Sequence, residues 1–82
     1  MERVNGLEVD RMENNVYVLA EDHEGCDFTT EMNRAIHVAK LLQAEEDKWQ
    51  GRGVWIQCQS GSLLTIAEAR KEVRYRQMFL DF

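Results

Sequence analysis

The sequence predicts an α+β fold: a small antiparallel sheet of two hairpins with two helices on one face, in the order ββ-α-ββ-α. Three observations carry that prediction. Short β-branched and aromatic runs at residues 16–20 and 54–58 read as strands. A long amphipathic segment separates them. Thr65-Ile66-Ala67-Glu68 then has the form of a capping box that starts a second helix.

Taken in order, Val4, Leu7 and Val9 alternate imperfectly around Asn5-Gly6, so residues 2–9 supply the first arm of a hairpin and residues 16–20 the second. Met12-Glu13-Asn14-Asn15 reads as the turn between them, because asparagine tolerates the left-handed region that a tight hairpin requires. An acidic loop follows at residues 21–27. Thr29 or Thr30 can cap the next helix by accepting an orphan backbone N–H. That helix runs to about Trp49. At 100° per residue, Met32, Ala35, Ile36, Val38, Ala39, Leu42 and Trp49 fall in one stripe, while Arg34, Lys40, Glu45 and Asp47 lie outside it. Gly51 and Gly53, on either side of Arg52, supply the freedom that ends it.

Val54-Trp55-Ile56-Gln57-Cys58 is the strongest strand signal, and Ser60-Gly61 turns it into a short return strand at residues 62–64. The second helix, started by Thr65 and Glu68, carries Ile66, Ala69, Val73 and Leu80 on a narrow stripe. A competing reading shortens that helix and makes residues 73–82 an edge strand.

With 44% apolar and 30% charged residues, the chain has a globular rather than a disordered composition. It contains no proline, repeat or low-complexity linker, so residues 1–82 read as one domain. Eighty-two residues are few for a two-domain, cofactor-plus-substrate enzyme. The longest strongly apolar run, residues 16–20, falls far short of the ~18–20 residues of a spanning helix, so no membrane partner is expected. The start Met-Glu-Arg-Val-Asn lacks a basic region followed by an apolar stretch, and Cys26 and Cys58 could form at most one disulfide. A cytoplasmic protein with reduced thiols is the expectation.

Charge is distributed unevenly. The net charge of −5 divides into −7 for residues 1–48, with 5 basic and 12 acidic side chains, and +2 for residues 49–82, with 5 basic and 3 acidic. The whole-chain balance argues against a general duplex binder, whose phosphate contacts need dense positive charge.

Motifs for chemistry are sparse. His23, Cys26, His37 and Cys58 have the ligand types of a zinc site, but only His23 and Cys26 are spaced as zinc ligands are, and His37 projects away from the apolar stripe. Glu21, Asp22, Glu24 and Asp27 could offer oxygens to a hard cation. A calcium loop starting at Asp22 would nevertheless place Asp27 where glycine belongs and Asn33 where glutamate belongs. No phosphate-cradling glycine pattern occurs, and no histidine neighbours Cys58 in sequence. The sequence therefore predicts no enzyme, no cofactor and no metal.

The segment 70–82 is the most informative. If its helix persists, Tyr75, Met78 and Phe79 lie opposite the Ile66–Val73–Leu80 stripe, interleaved with Arg70, Lys71, Arg74 and Arg76. Aromatics with arginine are the types enriched at interface centres. The functional expectation is a small protein-interaction module that regulates or inhibits a partner protein through two surfaces. One is the acidic loop of Glu21, Asp22, Glu24 and Asp27; the other is the face of Lys71, Arg74, Tyr75, Met78 and Phe79. A specific version is an acidic, phage-type inhibitor of a nucleic-acid-binding complex, with carboxylates standing in for phosphates. The alternative expectation is a homodimer that binds nucleic acid through the basic and aromatic C-terminal segment.

Overall fold

A computed structural model of the chain describes residues 2–21, 25, 27–49, 51 and 53–80, without the side chains of Trp49, Phe79 and Leu80. The chain begins with a hairpin that the sequence expectation merged into one arm. Strand β1 (Glu2–Val4) pairs antiparallel with β2 (Leu7–Arg11), with Val4 opposite Leu7. Asn5 and Gly6 between them take φ of +49° and +85°, the two positive values of the primed turn whose twist matches a hairpin. Strand β3 (Asn15–Leu19) pairs antiparallel with β2 around the expected turn, which the Met12 N–H closes onto the Asn15 carbonyl at 2.8 Å.

From β3 the chain enters α1 (Phe28–Trp49) and returns in β4 (Gly53–Gln57), which lies beside β3 and parallel to it, from Asn15–Gly53 to Leu19–Gln57. This corrects the all-antiparallel sheet of two hairpins. A 22-residue helix is about 33 Å long at 1.5 Å per residue, enough to carry the chain back across the sheet and begin the next strand at the end where β3 began. Strand β5 (Leu63–Leu64) closes the sheet antiparallel to β4, and α2 (Ile66–Leu80) follows. The class is α+β, with element order βββ-α-ββ-α and a five-stranded mixed sheet in spatial order β1-β2-β3-β4-β5. Residues 73–80 continue the helix, so the edge-strand reading of that segment is overturned; Asp81 and Phe82 lie outside the described residues.

Alternation along the strands sends one set of side chains to the helices. Leu7, Val9, Val16, Val18, Val54 and Ile56 are buried against Met32, Ala35, Ile36, Val38, Ala39 and Leu42 of α1 and against Ala69 and Val73 of α2. The α1 stripe is thus the expected one, while its Trp49 member lies outside the described side chains. About three turns of buried apolar contact, from Met32 to Leu42, fix α1 over the sheet, each fully buried Val, Leu or Ile contributing about 1.5–3 kcal/mol relative to exposure. The stripe also contains a charge that the apolar reading passed over. Glu46, four residues beyond Leu42, is 3% exposed and is met by Arg11 of β2.

The helix ends follow local rules. The Thr65 hydroxyl accepts the Glu68 N–H at 3.1 Å and the Glu68 carboxylate accepts the Thr65 N–H at 3.0 Å, so the capping box stands as expected. At α1 the cap differs from the expectation. Asp27, not Thr29 or Thr30, precedes the first helical residue, and its carboxylate accepts the Thr30 hydroxyl at 2.5 Å. Aspartate serves this position well because a negative group is stabilised at the positive end of a helix. Gly51, at φ +68°, returns its N–H to the Glu46 carbonyl beyond the other end.

Candidate interaction faces

Two surfaces expose aromatic side chains, and they carry different charge. The first is the α2 face singled out in the sequence. Lys71, Arg74, Tyr75 and Met78 follow one another at i, i+3, i+4 and i+7, which brings them to one face of α2. Tyr75 is 60% and Met78 67% exposed, and Lys71 and Arg74 are exposed beside them. Phe79, expected on this face, has its side chain outside the described part. Arg76 is drawn elsewhere: its guanidinium sits 3.8 Å from the centroid of the Phe28 ring at the start of α1, a cation–π contact that ties the two helices together.

Of the acidic loop, Glu21 and Asp27 lie among the described residues. Asp27 is taken up as the helix cap. Glu21 is exposed, with Arg34 at 4.0 Å. Asp22, Glu24, His23 and Cys26 lie outside the described residues. Cys58, expected inside the strand, stands just beyond β4 and is buried. His37 is exposed beside a shallow depression lined by Asn5, Thr30, Asn33, Arg34 and Val38. Among the described residues, no group of three or more His, Cys, Asp or Glu is placed to hold a metal ion. No described helix is long and apolar enough to cross a membrane.

The second surface was missed. Because both helices pack on one side of the sheet, the alternate side chains of the strands project from the other, where no described element covers them. Asp10, Tyr17 and Trp55 occupy one register row across β2, β3 and β4, and Leu19, Gln57 and Leu63 the neighbouring row. Tyr17 and Trp55 are therefore nearest neighbours on adjacent strands about 4.8 Å apart. Trp55 is not free to swing. Its indole reaches two residues back along β4, where the ring N–H donates to the Asn15 side-chain oxygen at 3.2 Å. A Cβ at Gly53 would stand 3.3 Å from that nitrogen, so the glycine leaves the space across which the indole lies. The polar edge is satisfied and the ring is held half-buried beside Tyr17.

The signal for this surface lies in the strands themselves. Val16-Tyr17-Val18 and Val54-Trp55-Ile56 each set an aromatic between two inward β-branched residues, so each aromatic must face outward. What the alternation could not supply was the pairing of β3 with β4, which sets the two aromatics side by side.

No family model matches the chain, and no curated protein or solved structure matches it either.

Proposed function

We propose that the protein is a small protein-interaction module, a regulator or inhibitor of a partner protein, that binds through its aromatic faces. The observation that carries this reading is the Trp55–Tyr17 pair on the uncovered side of the sheet, with the indole fixed by Asn15 before any partner arrives. An aromatic side chain whose rotamer is already set loses little entropy on binding, and such residues dominate interface energies. The Lys71, Arg74, Tyr75 and Met78 face of α2 is the second contact surface, on the helix side of the molecule.

The test compares immobilised wild type with two variants in capture from the source cells. Tyr17→Thr/Leu63→Thr alters the sheet face and Tyr75→Ser/Met78→Ser the helix face. All four substituted side chains are at least partly exposed, so both variants should melt close to wild type. The expected result is a protein retained by wild type and lost with one variant. A wild type that retains nothing either variant loses would overturn the reading. The alternative, nucleic-acid binding through the α2 cations, predicts affinity for an oligonucleotide that falls steeply with salt and disappears in Lys71→Glu/Arg74→Glu. Charge reversal at Glu21, Asp22, Glu24 and Asp27 addresses the acidic-inhibitor version, which requires that capture be abolished.

A further inference from the structure

We infer that the open sheet face receives an arginine-bearing segment of a protein partner, with a guanidinium on the Tyr17–Trp55 platform and its charge met by Asp10. This inference rests on the interaction-module reading and names the chemistry of the occupant.

Charge on that face selects the occupant. Outward-facing ionised side chains on the described strands are Arg3, Glu8 and Asp10, and Arg3 already pairs with Glu8 at 3.3 Å. Asp10 has no hydrogen-bond or ion-pair partner among the described residues. It is half-buried and in register with Tyr17, so a carboxylate without a counter-ion borders the aromatic pair. A nucleic-acid strand could stack its bases on such rings, but among the described strand residues its phosphates would find one outward cation, Arg3, which Glu8 already holds, with Asp10 repelling them. A cationic side chain meets the opposite conditions. Its charge is attracted both by the carboxylate and by the ring faces, and desolvation between them strengthens the pairing.

Arginine fits better than lysine for a geometric reason. Its planar guanidinium can lie flat on a ring while its edge N–H groups donate to a neighbouring carboxylate, whereas an ammonium is a compact, strongly hydrated point charge. Tyr17 and Asp10, side by side on adjacent strands, offer that combination of a ring and an edge acceptor. Trp55 extends the platform on the other side of Tyr17, and Leu19 and Leu63 border it with apolar surface for the partner's backbone and neighbouring side chains.

The experiment follows backbone amides and the Trp55 indole N–H by NMR in the full chain at 0.15 M salt. The indole resonance is assigned by its absence in Trp55→Phe. Three probes are titrated: a ten-residue peptide alternating arginine and glycine, its lysine counterpart of equal charge, and a ten-nucleotide single strand. We expect the arginine peptide to shift the indole and the Asp10 and Tyr17 amides, and to bind at least about fivefold tighter than the lysine peptide. Asp10→Asn, which keeps shape and removes charge, should weaken it by about fivefold or more. Equal affinity for the two peptides, shifts confined to other surfaces, or stronger shifts of these amides by the oligonucleotide would each overturn the inference. So would concentration-dependent shifts of the same amides without any probe, which would make a second copy the occupant. If the arginine preference is absent while Tyr17→Thr/Leu63→Thr still abolishes partner capture, the interaction reading survives and only the arginine assignment fails.

Discussion

The guanidinium of Arg11 on β2 reaches the buried carboxylate of Glu46 on α1 and at the same time holds Glu2 of β1 at 2.8 Å. One side chain thereby ties the first hairpin to the helix that covers it. Glu46 is nearly inaccessible and the Arg11 guanidinium helps to offset the cost of burying its charge, so removing that cation costs more than removing the pair. Arg11→Met should destabilise the fold by about 2–3 kcal/mol, and Arg11→Met/Glu46→Leu should recover most of that loss. Urea denaturation of the two variants and wild type measures it. A double variant no more stable than the single one would show that Glu46 does not depend on Arg11.

Acid should weaken the protein through two carboxylates whose partners favour the ionised form. The backbone N–H of Thr65, with its side chain and Lys71 adding to it, holds the Glu68 carboxyl below the ordinary glutamate range. Hydrogen bonding to Arg11 does the same for Glu2 against a smaller opposing effect of burial. With the folded-state pKa lowered, the unfolded chain binds protons more readily. This stabilisation is complete above the ordinary carboxylate range and is lost as pH falls through it toward the depressed folded values. Glu68→Gln should therefore lower stability at neutral pH, where the wild type has the full contribution, and converge on wild type as pH falls toward about 3, which flattens the dependence of unfolding free energy on pH. Thr65→Ala should cost about 1 kcal/mol at neutral pH by removing the other half of the box.

Gly6 is favoured first by its backbone and second by a side chain that would have to move. Its φ of +85° is one that residues with a Cβ rarely adopt, and a Cβ there would lie 2.8 Å from the Nη2 of Arg34. That same nitrogen donates to the Asn5 carbonyl at 3.0 Å, so the intruding methyl group would push aside a contact between α1 and the turn. Gly6→Ala should lower stability by about 1–2 kcal/mol, whereas Asn5→Gly should be nearly neutral. Thermal melts of the two variants distinguish these outcomes, and equal melting temperatures would remove the conformational argument.

What could be read from the chain divides by the range of the interaction. The α1 stripe from Met32 to Leu42 and the Thr65–Glu68 box depend on residues a few positions apart, and both stand as the periodicity and spacing predict. Asn5-Gly6 was equally local and is the strongest short hairpin signal in the chain, but the strand before it has only three residues and was absorbed into its neighbour. The parallel β3–β4 pairing depends on where a 22-residue helix sets the chain down, which no local pattern records. The sheet-face site inherits that difficulty. Outward projection of Tyr17 and Trp55 was legible in the alternation of each strand, while their adjacency, and that of Asp10, belongs to the register. Glu46 shows the converse, a charge at an apolar position whose meaning lies in Arg11, 35 residues away.

Gly53 offers a way to disturb the aromatic platform without disturbing the fold. Its backbone φ lies outside the positive range, so alanine is conformationally acceptable there and reduces the freedom of the unfolded chain, an effect of about 0.4–1 kcal/mol in favour of folding. The added Cβ, however, would stand 3.1 Å from the Asn15 oxygen and 3.3 Å from the Trp55 ring nitrogen, the two atoms that hydrogen-bond across this glycine. One of them must yield by a few tenths of an ångström, and neither Asn15 nor Trp55 is locked in the core, both being partly exposed on the open face. Gly53→Ala should therefore melt within a few degrees of wild type while the Trp55 indole N–H shifts and exchanges faster with solvent, as it should also in Asn15→Ala, which removes the acceptor. Both variants should then bind any partner of the sheet face more weakly, because an indole that must be ordered on binding loses entropy that the wild type has already lost in folding. If the indole resonance and its exchange rate are unchanged in Gly53→Ala, the ring is held by something other than Asn15, and the platform is not pre-ordered in the way its geometry indicates.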